Sequence, residues 1–121
     1  MKLSRILLSA LLISGMNLAH STTPAAPTYA PVQGQAGKDV IWIPTPEGLI
    51  DKMLTAANVT HQDKVFDLGA GDGIIAITAA RKYNAQSVGI EFNPDMAQFA
   101  RRKVAEAGLN DKVRIITGDI F

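Results

Sequence analysis

The run Val65-Phe66-Asp67-Leu68 ends directly on Gly69-Ala70-Gly71-Asp72-Gly73, and an apolar helical stretch from Ile74 to Arg81 follows without a gap. No other feature of the chain restricts its fold as strongly as this succession of strand, tight turn and helix. A strand that passes straight into a helix does not pair back as a hairpin, so the chain must cross over and return parallel. Glycine just past the strand lets the backbone turn sharply and removes the Cβ that would hold a ligand away.

The pattern then repeats. Ser87 to Glu91 is a second short β-type run, and Asn93-Pro94 opens a helix with a capping side chain and proline at the first helical position. That helix extends to about Ala107, where Gly108 terminates it, with Met96, Phe99, Ala100, Val104 and Ala107 on its inner face. Val113 to Thr117 is a third strand, ending at Gly118-Asp119. Upstream, the apolar run Val40–Ile43 stops at Pro44, and Thr45 (N-cap) and Pro46 (first helical position) begin a helix of about 46–57. Its apolar face is Leu49, Ile50, Met53, Leu54 and Ala57, with Met53 and Met96 read as packing residues. Arg101-Arg102-Lys103 reads as a solvated helix face. Strands alternating with helices predict an α/β chain: the N-terminal half of a doubly wound parallel sheet, three core strands with flanking helices.

The first third of the chain follows different rules. Met1–Arg5 is basic, Ile6–Leu18 is mostly apolar, and Ala19-His20-Ser21 places small residues for cleavage after Ser21. The apolar run is shorter than the roughly 20 residues a spanning helix needs. Residues 1–21 therefore read as a secretory signal peptide, which predicts a periplasmic or secreted protein. The alternative is a membrane-anchored protein with a cytosolic domain, and membrane contact then requires that the segment stay uncleaved. Residues 22–38, rich in Pro, Ala and Gly, read as a linker, because such a stretch buries too little surface to offset its ordering entropy. The folded domain is expected over 39–121.

Composition narrows the chemistry. The chain of 121 residues has no cysteine, which excludes disulfides and thiolate-held metals. His20 and His61 stand far apart with no partner at ligand spacing, so no metal site is expected. Residues 39–121 carry nine basic against eleven acidic side chains, a balance with no broad electrostatic footprint for nucleic acid.

Ligands of open α/β sheets bind beyond the carboxyl ends of the strands, where Gly69–Gly73, Glu91 and Asp119 all fall. A glycine turn on its own serves packing as readily as binding; the two acids add direction. Glu91 ends the second strand, placed to accept bonds from both ribose hydroxyls of a nucleoside, and Asp119 follows the third, placed to accept from an exocyclic amine. A dinucleotide would bring a pyrophosphate to the turn, but Ile74 stands where the G-x-G-x-x-G/A fingerprint has its third small residue. Asp67 and Asp72 bracket the turn and would repel a pyrophosphate, whereas they suit a ligand with an ammonium and a sulfonium, which is S-adenosylmethionine. No Gly-Lys-Ser/Thr follows the turn, so the Walker pattern is absent.

Val65–Gly73 resembles the first motif of class I, Rossmann-like S-adenosylmethionine-dependent methyltransferases. Glu91 is similar to their ribose-binding acid and Gly118-Asp119-Ile120-Phe121 to their adenine-side motif. The resemblance, over residues 40–121, implies that backbone at Gly69 and Gly71 contacts the methionine moiety, with Asp67 supporting that end. It implies further that Glu91 holds the ribose, Phe92 packs on adenine and Asp119 binds the adenine amino group. Ile43-Pro44-Thr45-Pro46 before an amphipathic helix is similar to a subgroup containing protein-lysine methyltransferases, in which Thr45 would close over the cofactor. The implied activity is methyl transfer from S-adenosylmethionine to an acceptor, protein lysine being favoured, with no catalytic residue assigned. Members of the family have seven strands, so the chain is expected to be an N-terminal portion or fragment. The alternative is a non-catalytic nucleoside-binding or interaction module, since the strands that bear substrate-side residues are absent from this sequence.

Overall fold

Residues 28–121 are described by the structure, a computed structural model. The signal-peptide expectation for 1–21 and the first part of the linker, 22–27, lie outside the described residues.

Three strands, β1 (Lys64–Asp67), β2 (Gln86–Glu91) and β3 (Val113–Thr117), form a parallel sheet in the order β1-β2-β3. Helices α1 (Glu47–Ala56), α2 (Ile74–Tyr83) and α3 (Pro94–Glu106) complete the fold, and α2 and α3 make the two crossovers. In register, Asp67 stands opposite Gly89 and Glu91 opposite Thr117, which brings the three strand ends to one edge of the sheet.

Small residues set how closely the layers approach. Ala76, Ile77 and Ala80 of α2 and Ala97, Ala100 and Val104 of α3 pack on Val113 and Ile115 in one cluster, so both helices cover the same face. Ile50 and Leu54 of α1 form a second cluster with Ala79. Complete burial of Ile50 and Ile77 contributes roughly 1.5–3 kcal/mol each. A doubly wound sheet carries helices on both faces; among the described residues only one face is covered. Phe66 and Leu68 remain 59% and 56% exposed, and β1 pairs with β2 alone.

The helix ends show which local signals prevailed. Asn93 caps α3, its Oδ1 accepting from Asp95 N (2.9 Å) and Met96 N (3.2 Å), with Pro94 at the first helical position. Thr45 does not cap α1: Pro46 occupies that position with extended backbone, and its carbonyl accepts from Leu49 N and Ile50 N. The reason is that Pro46 itself keeps extended backbone, with ψ 139°, so the helix begins one residue later, at Glu47. Met53 is not a packing residue. It is 44% exposed, because α1 rests on α2 along a narrow stripe that only Ile50 and Leu54 fill, whereas Met96 is buried as expected.

The linker reading gives way from Tyr29 onward. The Tyr29 ring stands edge-on to Phe99, with centroids 6.4 Å apart, and its carbonyl accepts from Arg102 Nη2 at 2.8 Å. The chain then doubles back: Gly34 N donates to Trp42 O, Trp42 N to Gln35 O and Gly37 N to Val40 O. This strap, residues 29–43, is ordered by contacts with the domain rather than by a core of its own. Val40–Ile43 contributes one bridge, Ile41 with Ala36, and no strand. Arg101-Arg102-Lys103 is likewise more than a solvated face. Arg101 donates to Thr117 Oγ1 (2.6 Å) and Ile115 O (3.1 Å), Arg102 holds the strap, and Lys103 Nζ lies 2.6 Å from Asp72 Oδ2.

Candidate functional site

The glycine turn is fixed almost entirely through its backbone. Ala70 N donates to Ile90 O at 2.8 Å, and Gly73 N to Ala70 O at 2.7 Å. Glu91 reaches back to accept from Gly71 N (2.8 Å) through Oε2 and from Asn93 N (2.8 Å) through Oε1, tying the turn to the start of α3. Two glycines are required by close approach. At Gly89 a Cβ would stand 2.7 Å from Ala70 Cβ and 2.9 Å from Ile115 Cδ1, so the turn seats over β2 only because none is there. Gly71 has φ +51°, and a Cβ on it would meet Trp42 Nε1 at 2.6 Å: the indole lies directly on the turn.

A cavity of about 430 Å³ opens above these strand ends, within the roughly 300–1,000 Å³ usual for small-molecule sites. Of the residues singled out in the sequence, Gly69, Gly71, Glu91, Phe92 and Asp119 line it together, with Gln35–Ile43 of the strap as the opposite wall. Thr45 is not in that wall. The extended Pro44–Pro46 segment leads it away toward α1, and the lining ends at Ile43.

Asp67 lies behind the lining. Its Oδ1 accepts from Gly69 N at 3.2 Å, while Oδ2 is buried with no partner among the described residues. Burial pushes its carboxyl above the usual range; the Gly69 bond opposes this, and the charges of Glu91 and Asp72 add to it. Asp72 does not act as a second free negative charge at the turn. Its Oδ2 is paired with Lys103 and its Oδ1 accepts from Ile74 N (3.3 Å) at the start of α2, so its charge is partly offset.

Asp119 is occupied by a residue that the linker reading had set aside. Lys38 Nζ lies 2.6 and 2.7 Å from its two oxygens, 5.4 Å from the Phe92 ring centroid and 4.8 Å from that of Phe121. The Lys38 ammonium, followed by the bond from Phe121 N, holds the Asp119 carboxyl below its usual range. Sequence reasoning misses Lys38, and for Trp42 it leaves open a platform for adenine or substrate and a half-buried anchor before Pro44. The available signals were slight: Lys38 is the only charge in 22–38, and Trp42 the only tryptophan.

The residues fit a nucleoside carrying a cationic amino-acid arm. Each Glu91 oxygen accepts one bond and has a second lone pair free. The open space at Gly69 admits a close-lying ligand, and the orphaned Oδ2 of Asp67 is an unmatched acceptor at the same end. The half-exposed Phe92 ring offers a stacking face beside Asp119. Among the described residues no cluster of three or more His, Asp or Glu could hold a metal ion.

Comparison with known proteins gives the same picture. Residues 65–121 match a family described as methyltransferase domain. A protein-lysine N-methyltransferase of Saccharolobus islandicus is 39% identical over 83 residues, which is 68% of this chain and 52% of that protein. A crystallised RNA methyltransferase of Salinibacter ruber, in complex with S-adenosyl-L-homocysteine, superposes with TM-score 0.63 and 47% identity. The match covers 64% of this chain and 50% of that one. A SAM-dependent methyltransferase of Thiobacillus denitrificans, also with S-adenosyl-L-homocysteine, gives TM-score 0.58 at 26% identity, over 61% of this chain and 30% of that one. The chain thus spans about half the length, or less, of these relatives.

Proposed function

We infer that this chain, which belongs through its Rossmann-like region to the class I S-adenosylmethionine-dependent methyltransferases, binds S-adenosylmethionine at the carboxyl ends of β1–β3 and serves methyl transfer from it. The observation that carries the reading is the placement of Glu91. One carboxylate spans the glycine turn and the α3 start, facing the cavity with lone pairs to spare. Glu91 would hold the ribose hydroxyls, Phe92 the face of the base and Asp119 its amino group, while Asp67 favours the cationic arm. When bound, S-adenosylmethionine supplies a methyl group activated by its sulfonium. The protein's part is to hold that group in line with a nucleophile and to keep competing anions out.

For the acceptor we propose a protein lysine, supported by the name of the Saccharolobus relative and by Ile43-Pro44-Thr45-Pro46. The second reading is RNA, favoured by the Salinibacter neighbour's description. Incubation with labelled methyl donor, protein and total RNA separates them: label confined to RNA overturns lysine. We propose export of the protein on the strength of residues 1–21, to be tested by N-terminal sequencing of the mature product.

Calorimetric titration of the chain tests the ligand. Heat is expected with S-adenosylmethionine and S-adenosylhomocysteine and none with NAD; binding of NAD alone overturns the reading. Glu91→Gln should weaken binding by about 1.5–3 kcal/mol, the size of a hydrogen bond to a charged group.

A further inference from the structure

We propose that Lys38 is a latch: its ammonium occupies the place of the ligand's base, so the strap must open for a nucleoside to enter. The proposal rests on the ligand reading above and adds to it a regulatory role for residues 29–43.

Three observations carry it. The first is the occupancy of the slot. Lys38 Nζ makes short contacts with both Asp119 oxygens and lies near the Phe92 and Phe121 rings, with nothing further needed to satisfy it. Asp119 and Phe92 are the groups assigned to the base and its amino group, so lysine and base exclude each other by volume.

The second is how the strap is held. At one end Tyr29 rests on Phe99 and its carbonyl is gripped by Arg102; at the other the Trp42 indole lies on Gly71. Backbone bonds between Gly34, Gln35 and Trp42 and between Gly37 and Val40 fold the intervening residues into a loop with Lys38 near its tip. Closure places two strap side chains on the ligand's path: Lys38 over the adenine end and Trp42 over the glycine turn.

The third is strength. The Lys38–Asp119 pair is partly exposed, 32% and 41% by side chain. Ion pairs and cation–π contacts at such sites are weak, of a size that a stacked and hydrogen-bonded base displaces. A buried pair would be a permanent strut; this one is releasable.

Lys38→Met removes the charge and leaves an unbranched apolar side chain one atom shorter. Titrated with S-adenosylhomocysteine, which is net neutral, the Lys38→Met chain should bind roughly three- to ten-fold more tightly than the wild type, the scale of one weak competing contact. Raising salt from 20 to 300 mM should tighten wild-type binding about two-fold relative to Lys38→Met, since the latch is the charge contact the two chains do not share. Equal or weaker binding by Lys38→Met overturns the latch while leaving the ligand reading intact. A second measurement needs no ligand: acrylamide quenching of Trp42, the only tryptophan. Greater quenching in Lys38→Met supports the latch, and identical quenching overturns it. Absence of binding by both chains sinks the ligand reading, and the quenching result then decides strap closure by itself.

Discussion

The cavity has a floor and a roof built on opposite principles. The floor, Gly69–Gly73 with Glu91, is held by backbone groups and by glycines whose missing Cβ atoms let chain lie on chain. The roof, residues 29–43, is held mainly by side chains reaching across long stretches of sequence: Lys38 to Asp119 over 81 residues, Arg102 to Tyr29 over 73. A preorganised floor gives geometry to a ligand, whereas a roof on weak contacts gives it access. Packing substitutions should therefore cost more stability in the floor than in the roof.

The largest effect is expected at Gly89. Valine there would force Ala70 and Ile115 apart, and overpacking of this kind costs about 1–3 kcal/mol or more. Chemical denaturation of Gly89→Val should show a lower midpoint; an unchanged midpoint would mean the turn does not need its seat on β2. Next comes Lys103→Met, which strands Asp72 beside the turn without its cation. Both side chains are partly buried, 27% and 13% exposed, so a loss of about 1–2 kcal/mol is expected, below the value for a fully buried pair. No loss in thermal unfolding would return Lys103 to the solvated face that the sequence suggested. In the roof, Tyr29→Ala removes one edge-on aromatic contact and should cost less than about 1 kcal/mol. Its clearer sign should be faster amide exchange over residues 29–42.

The contrast also explains what could be read from the chain. Gly69, Gly71 and Glu91 were legible because a strand, a turn and the next strand's end are tied by register, which local pattern reveals. The same logic located Asn93-Pro94, whose cap closes within three residues. Lys38 and Trp42 carry no such mark: they act through tertiary contacts from a segment whose composition reads as linker. Thr45 was misplaced for a related reason. Its cap-like hydroxyl is a local signal, but Pro46 stays extended and takes the cap position itself. Asp72 had the right charge, and only the fold could show that Lys103 neutralises it.

The smallest effect, and the most informative about the floor, is expected at Asp67. Its folded-state carboxyl titrates above the ordinary value of 3.8, chiefly because burial penalises the anion. The sign follows from linkage: the folded state holds the proton more firmly than the unfolded one. Stability from this group is thus present below 3.8 and lost as pH rises through the raised value, then level. Asp67→Asn should remove that slope, leaving the ligand-free chain slightly more stable at neutral pH and no more stable in acid. A cationic arm beside Asp67 offsets the same penalty. Binding of S-adenosylmethionine should therefore weaken, relative to neutral S-adenosylhomocysteine, as pH falls through the raised value, and Asp67→Asn should erase the difference. If the two ligands keep a constant affinity ratio across that range, the orphaned oxygen of Asp67 does not sense the ligand's charge. The floor would then select its ligand by shape and by Glu91 alone.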